Sequence, residues 1–135
     1  MAILISLSPG SLHMKHKTQQ RKALMECLHE ARGPLKPAEI LWFSREKVSS
    51  LGIATVYRNL KLLVEEGSVA ELQVPGQGSY YEPADMDHHH HFQCRNCKQL
   101  FCIPGCPPGI TSLAPEGFKL DGHEIFLYGR CAECT

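Results

Sequence analysis

Apolar residues recur at helical spacing through the first half of the chain and at strand spacing through much of the second. Leu24, Cys27, Leu28 and Ala31 follow a candidate cap at Thr18, which predicts a helix over 18–31. Gly33-Pro34 stops it. Pro37 opens a second helix to about Val48, with Ile40, Leu41 and Ser44 on one side. The turn Ser49-Ser50-Leu51-Gly52 leads into a third helix from Ile53 to Glu66, ended by Gly67. Two extended stretches, Val69–Val74 and Ser79–Glu82, flank the turn Pro75-Gly76-Gln77-Gly78. Three helices and a hairpin make the winged form of helix-turn-helix. The composition changes at Pro83–Asp87, the expected hinge. Beyond it, Phe92–Cys94 and Glu124–Tyr128 alternate apolar with polar residues and predict a small sheet. Pro104, Pro107 and Pro108 make an irregular stretch, with a short helix expected over about Ile110–Leu113. The fold class expected is therefore α+β. A winged-helix domain spans 15–83, a hinge 84–87 and a small α/β domain 88–135.

The third helix carries the first functional signal. At about 100° per residue, Ile53, Val56, Leu60, Leu63 and Val64 share one face. Ala54, Thr55, Arg58 and Lys61 lie opposite, with Tyr57 at the boundary. Short residues at the helix start and cations further along suit entry into a DNA major groove. A solvated helix face is the commoner reading of any single helix with this pattern. The flanking helices and hairpin favour a DNA-reading one. Charge agrees: residues 1–64 hold ten Lys or Arg against four acids, whereas 85–135 hold four against six, although the net charge is zero. Lys15 and Arg21 are further candidates for DNA contact. Cys27 belongs on the core face of the first helix, and Trp42 is expected in the interior or at a domain contact.

The second half is rich in metal-ligating residues. Cys94-x-x-Cys97 and Cys131-x-x-Cys134 each aim two sulfurs at one point, so together they predict a closed, structural zinc site. The 33 residues between the pairs must fold back as a strand-rich insertion. A redox dithiol or unrelated buried thiols fit the paired spacing less well. His88-His89-His90-His91 precedes the first pair. On a strand, alternate side chains face opposite ways, so the tetrad can serve two sites. Glu82 could complete a site with His89 and His91, and His123 one with His88 and His90; a solvent-exposed His tract is the plainer alternative. Cys102 or Cys106 could add a thiolate to the latter site, or either could be a small buried apolar residue. No secretory signal is convincing in the first thirteen residues, which look unlike the rest, and Met14 is a candidate start. With nothing resembling a membrane span, the expected location is the cytoplasm.

These motifs, in this order, resemble the ferric uptake regulator family. The match runs through Thr18-x-Gln20-Arg21, Ala54-Thr55-Val56-Tyr57-Arg58-Asn59-Leu60, the His88–His91 tetrad before Cys94-x-x-Cys97, and His123-x-x-x-x-Tyr128-Gly129-x-Cys131. The resemblance implies a homodimeric, metal-activated repressor of an AT-rich palindromic operator, with 88–135 as its dimerisation domain. It implies structural zinc at Cys94, Cys97, Cys131 and Cys134, an interdomain sensing metal (Zn2+ or Fe2+) at Glu82, His89 and His91, and a second metal at His88, His90 and His123. Three departures stand out. Gly33-Pro34-Leu35 occupies the place of a sensing-site His, Gly109 falls where an acidic ligand is expected, and the helix before Thr18, often basic in the family, is shortened or altered. The all-His tetrad resembles zinc sensors and points to a zinc uptake regulator. An iron- or peroxide-responsive repressor is the alternative within the family. A zinc-dependent hydrolase or a zinc-ribbon interaction module is the alternative outside it, and no nucleophile motif or phosphate loop supports catalysis.

Overall fold

The computed structural model describes residues 9–135, with side chains from Lys17 onward. The apolar stretch Ala2–Leu7 and the side chain of Lys15 lie outside the described residues.

Helix α1 runs Pro9–Glu30, α2 Pro37–Ser44 and α3 Ile53–Glu65. The first starts well before the cap expected at Thr18, with Pro9 at its first position, where a missing N–H costs nothing. The second stops short of Val48. After Ser44 the backbone tightens, with Glu46 N–H bonded to Phe43 O and Lys47 N–H to Ser44 O. At the start of α2, Lys36 N–H donates to Glu39 Oε1 at 3.1 Å, satisfying a donor that the helix cannot. Strands β1 (Val69–Val74) and β2 (Gly78–Pro83) form an antiparallel hairpin that pairs Val69 with Pro83 and Val74 with Gly78. Gly76 and Gly78 take positive φ in its turn, as the reversal requires.

Leu24, Leu28, Leu35, Ile40, Val56, Leu60, Leu63, Val69 and Tyr81 form the core of this winged helix-turn-helix. Two apolar residues expected inside lie outside it. Trp42 is 74% exposed, because buried Ile40 and Ser44 lie two residues either side of it and so on the opposite face of α2. Ile53 is 42% exposed, since the first residue of α3 sits at the helix tip, ahead of the packed turn.

The C-terminal part is a three-stranded sheet in the order β4-β3-β5, with β3 His89–Cys94, β4 Leu100–Pro104 and β5 Phe126–Gly129. The central β3 pairs antiparallel with β4 and parallel with β5. The sequence pattern does not single out β4, whose last residue, Pro104, opens the stretch expected to be irregular. Two short 3-10 turns, Ile110–Leu113 and Ala132–Cys134, are the helical content here among the described residues. No helix among them is long and apolar enough to cross a membrane.

The hairpin joins the two parts. Tyr81 faces the winged-helix core, whereas its neighbour Tyr80 packs with Val74 and Leu100 against the C-terminal sheet. Glu82, two residues from Tyr80, therefore faces the sheet as well.

Candidate metal centres and nucleic-acid interface

Four sulfurs, from Cys94, Cys97, Cys131 and Cys134, lie within 4.8 Å of one another. Thiolates about 2.3 Å from a tetrahedral zinc would sit about 3.8 Å apart. Cys97 Sγ and Cys131 Sγ are 3.9 Å apart, so the donor set fits zinc in both chemistry and spacing. The cage joins the turn after β3 to the segment after β5. The backbone N–H groups of Cys131 and Cys97 both donate to Cys94 Sγ at 3.4 Å. They hold the Cys94 thiol down at about 6, ready to ligate as thiolate.

Glu82, His89, His91 and Cys102 form a second group, within the same 4.8 Å limit. Alternation along β3 puts His89 and His91 on the face turned toward Glu82. The Glu82 carboxylate lies 2.9 Å from His89 Nε2 and 3.1 Å from His91 Nε2. Burial pushes the Glu82 carboxyl up, but hydrogen bonds from His91 and His89 outweigh it and leave it below its ordinary value. Burial likewise opposes charge on His89, and Asp87 O with the Glu82 carboxylate prevails and raises it. His89 Nδ1 donates to Asp87 O at 2.8 Å, which turns Nε2 toward Glu82 as the ligating atom. Cys102 Sγ is 3.8 Å from Glu82 Oε2, and burial with the nearby carboxylate pushes its thiol up to about 11.

This placement corrects the expectation for Cys102. It does not join His88, His90 and His123. In the β3–β4 register Cys102 lies opposite His91, and directly paired residues project from the same face. Sequence reasoning missed it because β4 was not recognised; the alternating Leu100, Cys102 beside Phe101, Ile103 was the available signal.

Cys106, beyond the end of β4, reaches the other face. It joins His88, His90 and His123 in the third group. His123 Nε2 lies 3.1 Å from His88 Nε2 and 3.2 Å from His90 Nε2, and Cys106 Sγ is 3.2 Å from His123 and 3.3 Å from His90. Imidazoles on a tetrahedral zinc at about 2.0 Å would hold their nitrogens about 3.3 Å apart. One detail weakens this group. The Ile125 amide donates to His90 Nδ1 at 3.1 Å, which favours the neutral tautomer with its proton on Nε2, so ligation through Nε2 requires the ring to switch tautomer and give up that bond. Both His groups border one cleft of about 610 Å³, which also takes in Glu71 and Gln73 of β1.

On α3, Ala54, Tyr57, Arg58 and Lys61 are exposed and Thr55 half-buried, with Tyr57 at 54%. Arg58 Nη2 donates to Thr55 Oγ1 at 3.0 Å, which lays the guanidinium along the outer helix face. Val56, Asn59, Leu60 and Leu63 point inward. Arg21 is engaged elsewhere: its Nη1 donates to Glu66 Oε1 at 3.2 Å and its other terminal nitrogen meets the second carboxylate oxygen.

A known architecture matches this arrangement. The ferric uptake regulator family model matches residues 13–128. The ferric uptake regulation protein of Campylobacter jejuni is 36% identical over 123 residues, which cover 87% of this chain and 78% of the relative. The peroxide operon regulator of Bacillus subtilis is 33% identical over 122 residues, covering 87% and 83%. Among solved structures, the Helicobacter pylori ferric uptake regulator, described as having three functional metal binding sites, superposes with a TM-score of 0.69 at 28% identity, over 93% of this chain and 89% of its own. A zinc-bound manganese uptake regulator superposes with a TM-score of 0.73 at 25% identity, over 87% and 94%. On this evidence the chain belongs to the ferric uptake regulator family, the metal-responsive DNA-binding transcription regulators.

Proposed function

We propose that this protein is a zinc-responsive repressor. As a homodimer it reads an AT-rich palindromic operator in the cytoplasm and controls metal-uptake genes. The observation that carries the proposal is the contact of Glu82, on the DNA-reading hairpin, with His89 and His91 of the C-terminal sheet. Residues 15–83 are the reading domain, 84–87 the hinge and 88–135 the sensing and dimerisation domain. Ala54, Thr55, Tyr57, Arg58 and Lys61 face the operator, with Lys15 and Arg21 as candidates for the flanking backbone. Cys94, Cys97, Cys131 and Cys134 hold structural zinc. Glu82, His89, His91 and Cys102 hold the sensing ion, and His88, His90, Cys106 and His123 a second one.

A divalent ion in the hinge group would supply a charge-compensating tie between the two domains. A ligand shifts an equilibrium only through its differential affinity for the two states. Glu82 provides that difference, because it reaches His89 and His91 only when the hairpin is docked on the sheet. By linkage, operator DNA raises metal affinity by the factor by which metal raises operator affinity. Nitrogen and thiolate donors suit zinc better than manganese, which prefers oxygen. A second reading within the family has its own support. Glu82, His89 and His91 alone are a two-histidine, one-carboxylate set of the kind that holds Fe(II), which favours iron or peroxide sensing. The family match favours a regulator over the hydrolase and zinc-ribbon alternatives.

Binding of a labelled AT-rich palindrome, titrated with Zn2+, Fe2+ and Mn2+, tests the reading. Zinc should raise affinity most in the wild type and not at all in His89→Ala, which should keep its structural zinc. Operator affinity indifferent to every metal would refute it.

A further inference from the structure

The loop between α1 and α2 offers the hinge group no ligand, yet it lies against it. Arg32 O accepts a hydrogen bond from Cys102 N–H at 3.1 Å. β4 is an edge strand of its sheet, so this bond uses a donor with no neighbouring strand. Gly33, buried, sits over the β4 backbone. A Cβ built on it would lie 2.2 Å from Leu100 O and 2.8 Å from Phe101 Cα. Its φ is not among the positive ones, so proximity and not backbone conformation requires glycine here. The approach continues on both sides. The Arg32 guanidinium lies 5.8 Å over the Phe101 ring, and Tyr80 Oη donates to Lys98 O at 2.9 Å. Leu35, two residues on, exchanges backbone bonds with Tyr81, which ties the loop to the hairpin carrying Glu82.

We infer that Gly33 is a positioning residue that docks the DNA-reading domain directly on the backbone of β4, so that Cys102 serves both as a member of the hinge metal group and as the hydrogen-bond donor to that dock. The inference rests on the hinge group being the sensing site. One residue then joins two tasks: its Sγ faces Glu82 while its N–H holds Arg32 O. A shift of β4 on metal uptake is carried to the end of α1 through the main chain. Only glycine allows the two backbones this close, because any Cβ must displace Leu100 or the loop itself.

The test uses the full chain with its structural zinc in place. Amide exchange is followed with and without added Zn2+, alongside binding of the labelled palindrome. In Gly33→Ala the Cys102 amide should exchange at least tenfold faster, while the buried amides of α3 keep wild-type protection. The factor by which Zn2+ stimulates operator binding should fall at least tenfold, with metal-free operator affinity unchanged within about twofold. Tyr80→Phe removes only the Lys98 bond and leaves the ring packed; it should also speed Cys102 exchange. Wild-type Cys102 protection in Gly33→Ala, or in Tyr80→Phe should Gly33→Ala not fold, overturns the inference. If wild-type operator binding ignores Zn2+, the sensing role falls instead, and Cys102 exchange still decides whether Gly33 makes the dock.

Discussion

Replacing Cys131 by Ser removes one wall of the four-sulfur cage but keeps the backbone N–H at 131 that helps hold Cys94 as thiolate, so the loss is that of a zinc ligand. The consequence follows from what else holds the C-terminal sheet. Among the described residues its buried apolar cluster is Val74, Tyr80 and Leu100, with Leu72 and Phe126 packed against it, and Val74 and Tyr80 belong to the hairpin. The cage, by contrast, ties the end of β3 to the segment after β5, thirty-odd residues away in sequence. Zinc in such a cage contributes about 10 kcal/mol or more, which is also folding energy. That matches the whole stability of an ordinary domain, about 5–15 kcal/mol. The sheet should therefore unfold in the variant, whereas α1–α3 keep their separate core around Leu24, Leu60 and Leu63. Elemental analysis should show one zinc fewer per chain. Circular dichroism should retain most of the helical signal, and amide resonances of β3–β5 should collapse to random-coil positions. A variant with full zinc content and a dispersed sheet spectrum would refute the assignment of the cage as the structural site.

Arg58→Ala should weaken operator binding and lower the slope of log affinity against log salt by about one, as expected for one lost phosphate contact; unchanged affinity and slope would mean that α3 is not the reading helix. Leu60→Ala empties a fully buried position on the inner face of the same helix and should cost about 2–5 kcal/mol, read as a fall in thermal midpoint. His88→Ala should disturb metal stimulation of DNA binding less than His89→Ala, since the His90 ring beside it ligates only by giving up its bond from the Ile125 amide, and an equal loss in both variants would point to one merged site.

Local pattern was sufficient for much of this molecule. The helical spacing of Leu24, Cys27 and Leu28, the amphipathic third helix and the glycine turn of the hairpin each express short-range geometry, and each is legible within a few residues. The same holds for Cys94-x-x-Cys97, where one turn carries both sulfurs, and for the His tetrad, whose alternation is a property of any strand. Other features depended on long-range packing. Whether Cys102 or Cys106 joins His90 follows from the β3–β4 register, which pairs Cys102 with His91. Trp42 and Ile53 looked internal as apolar residues, but their exposure depends on which helix face meets the core. Gly33 read as a helix stop, and only the packed chain reveals that its missing Cβ lets two backbones touch. Periodicity along a chain determines which way a side chain points within its own element; what it meets there is decided by residues far away in sequence, brought up by register and packing.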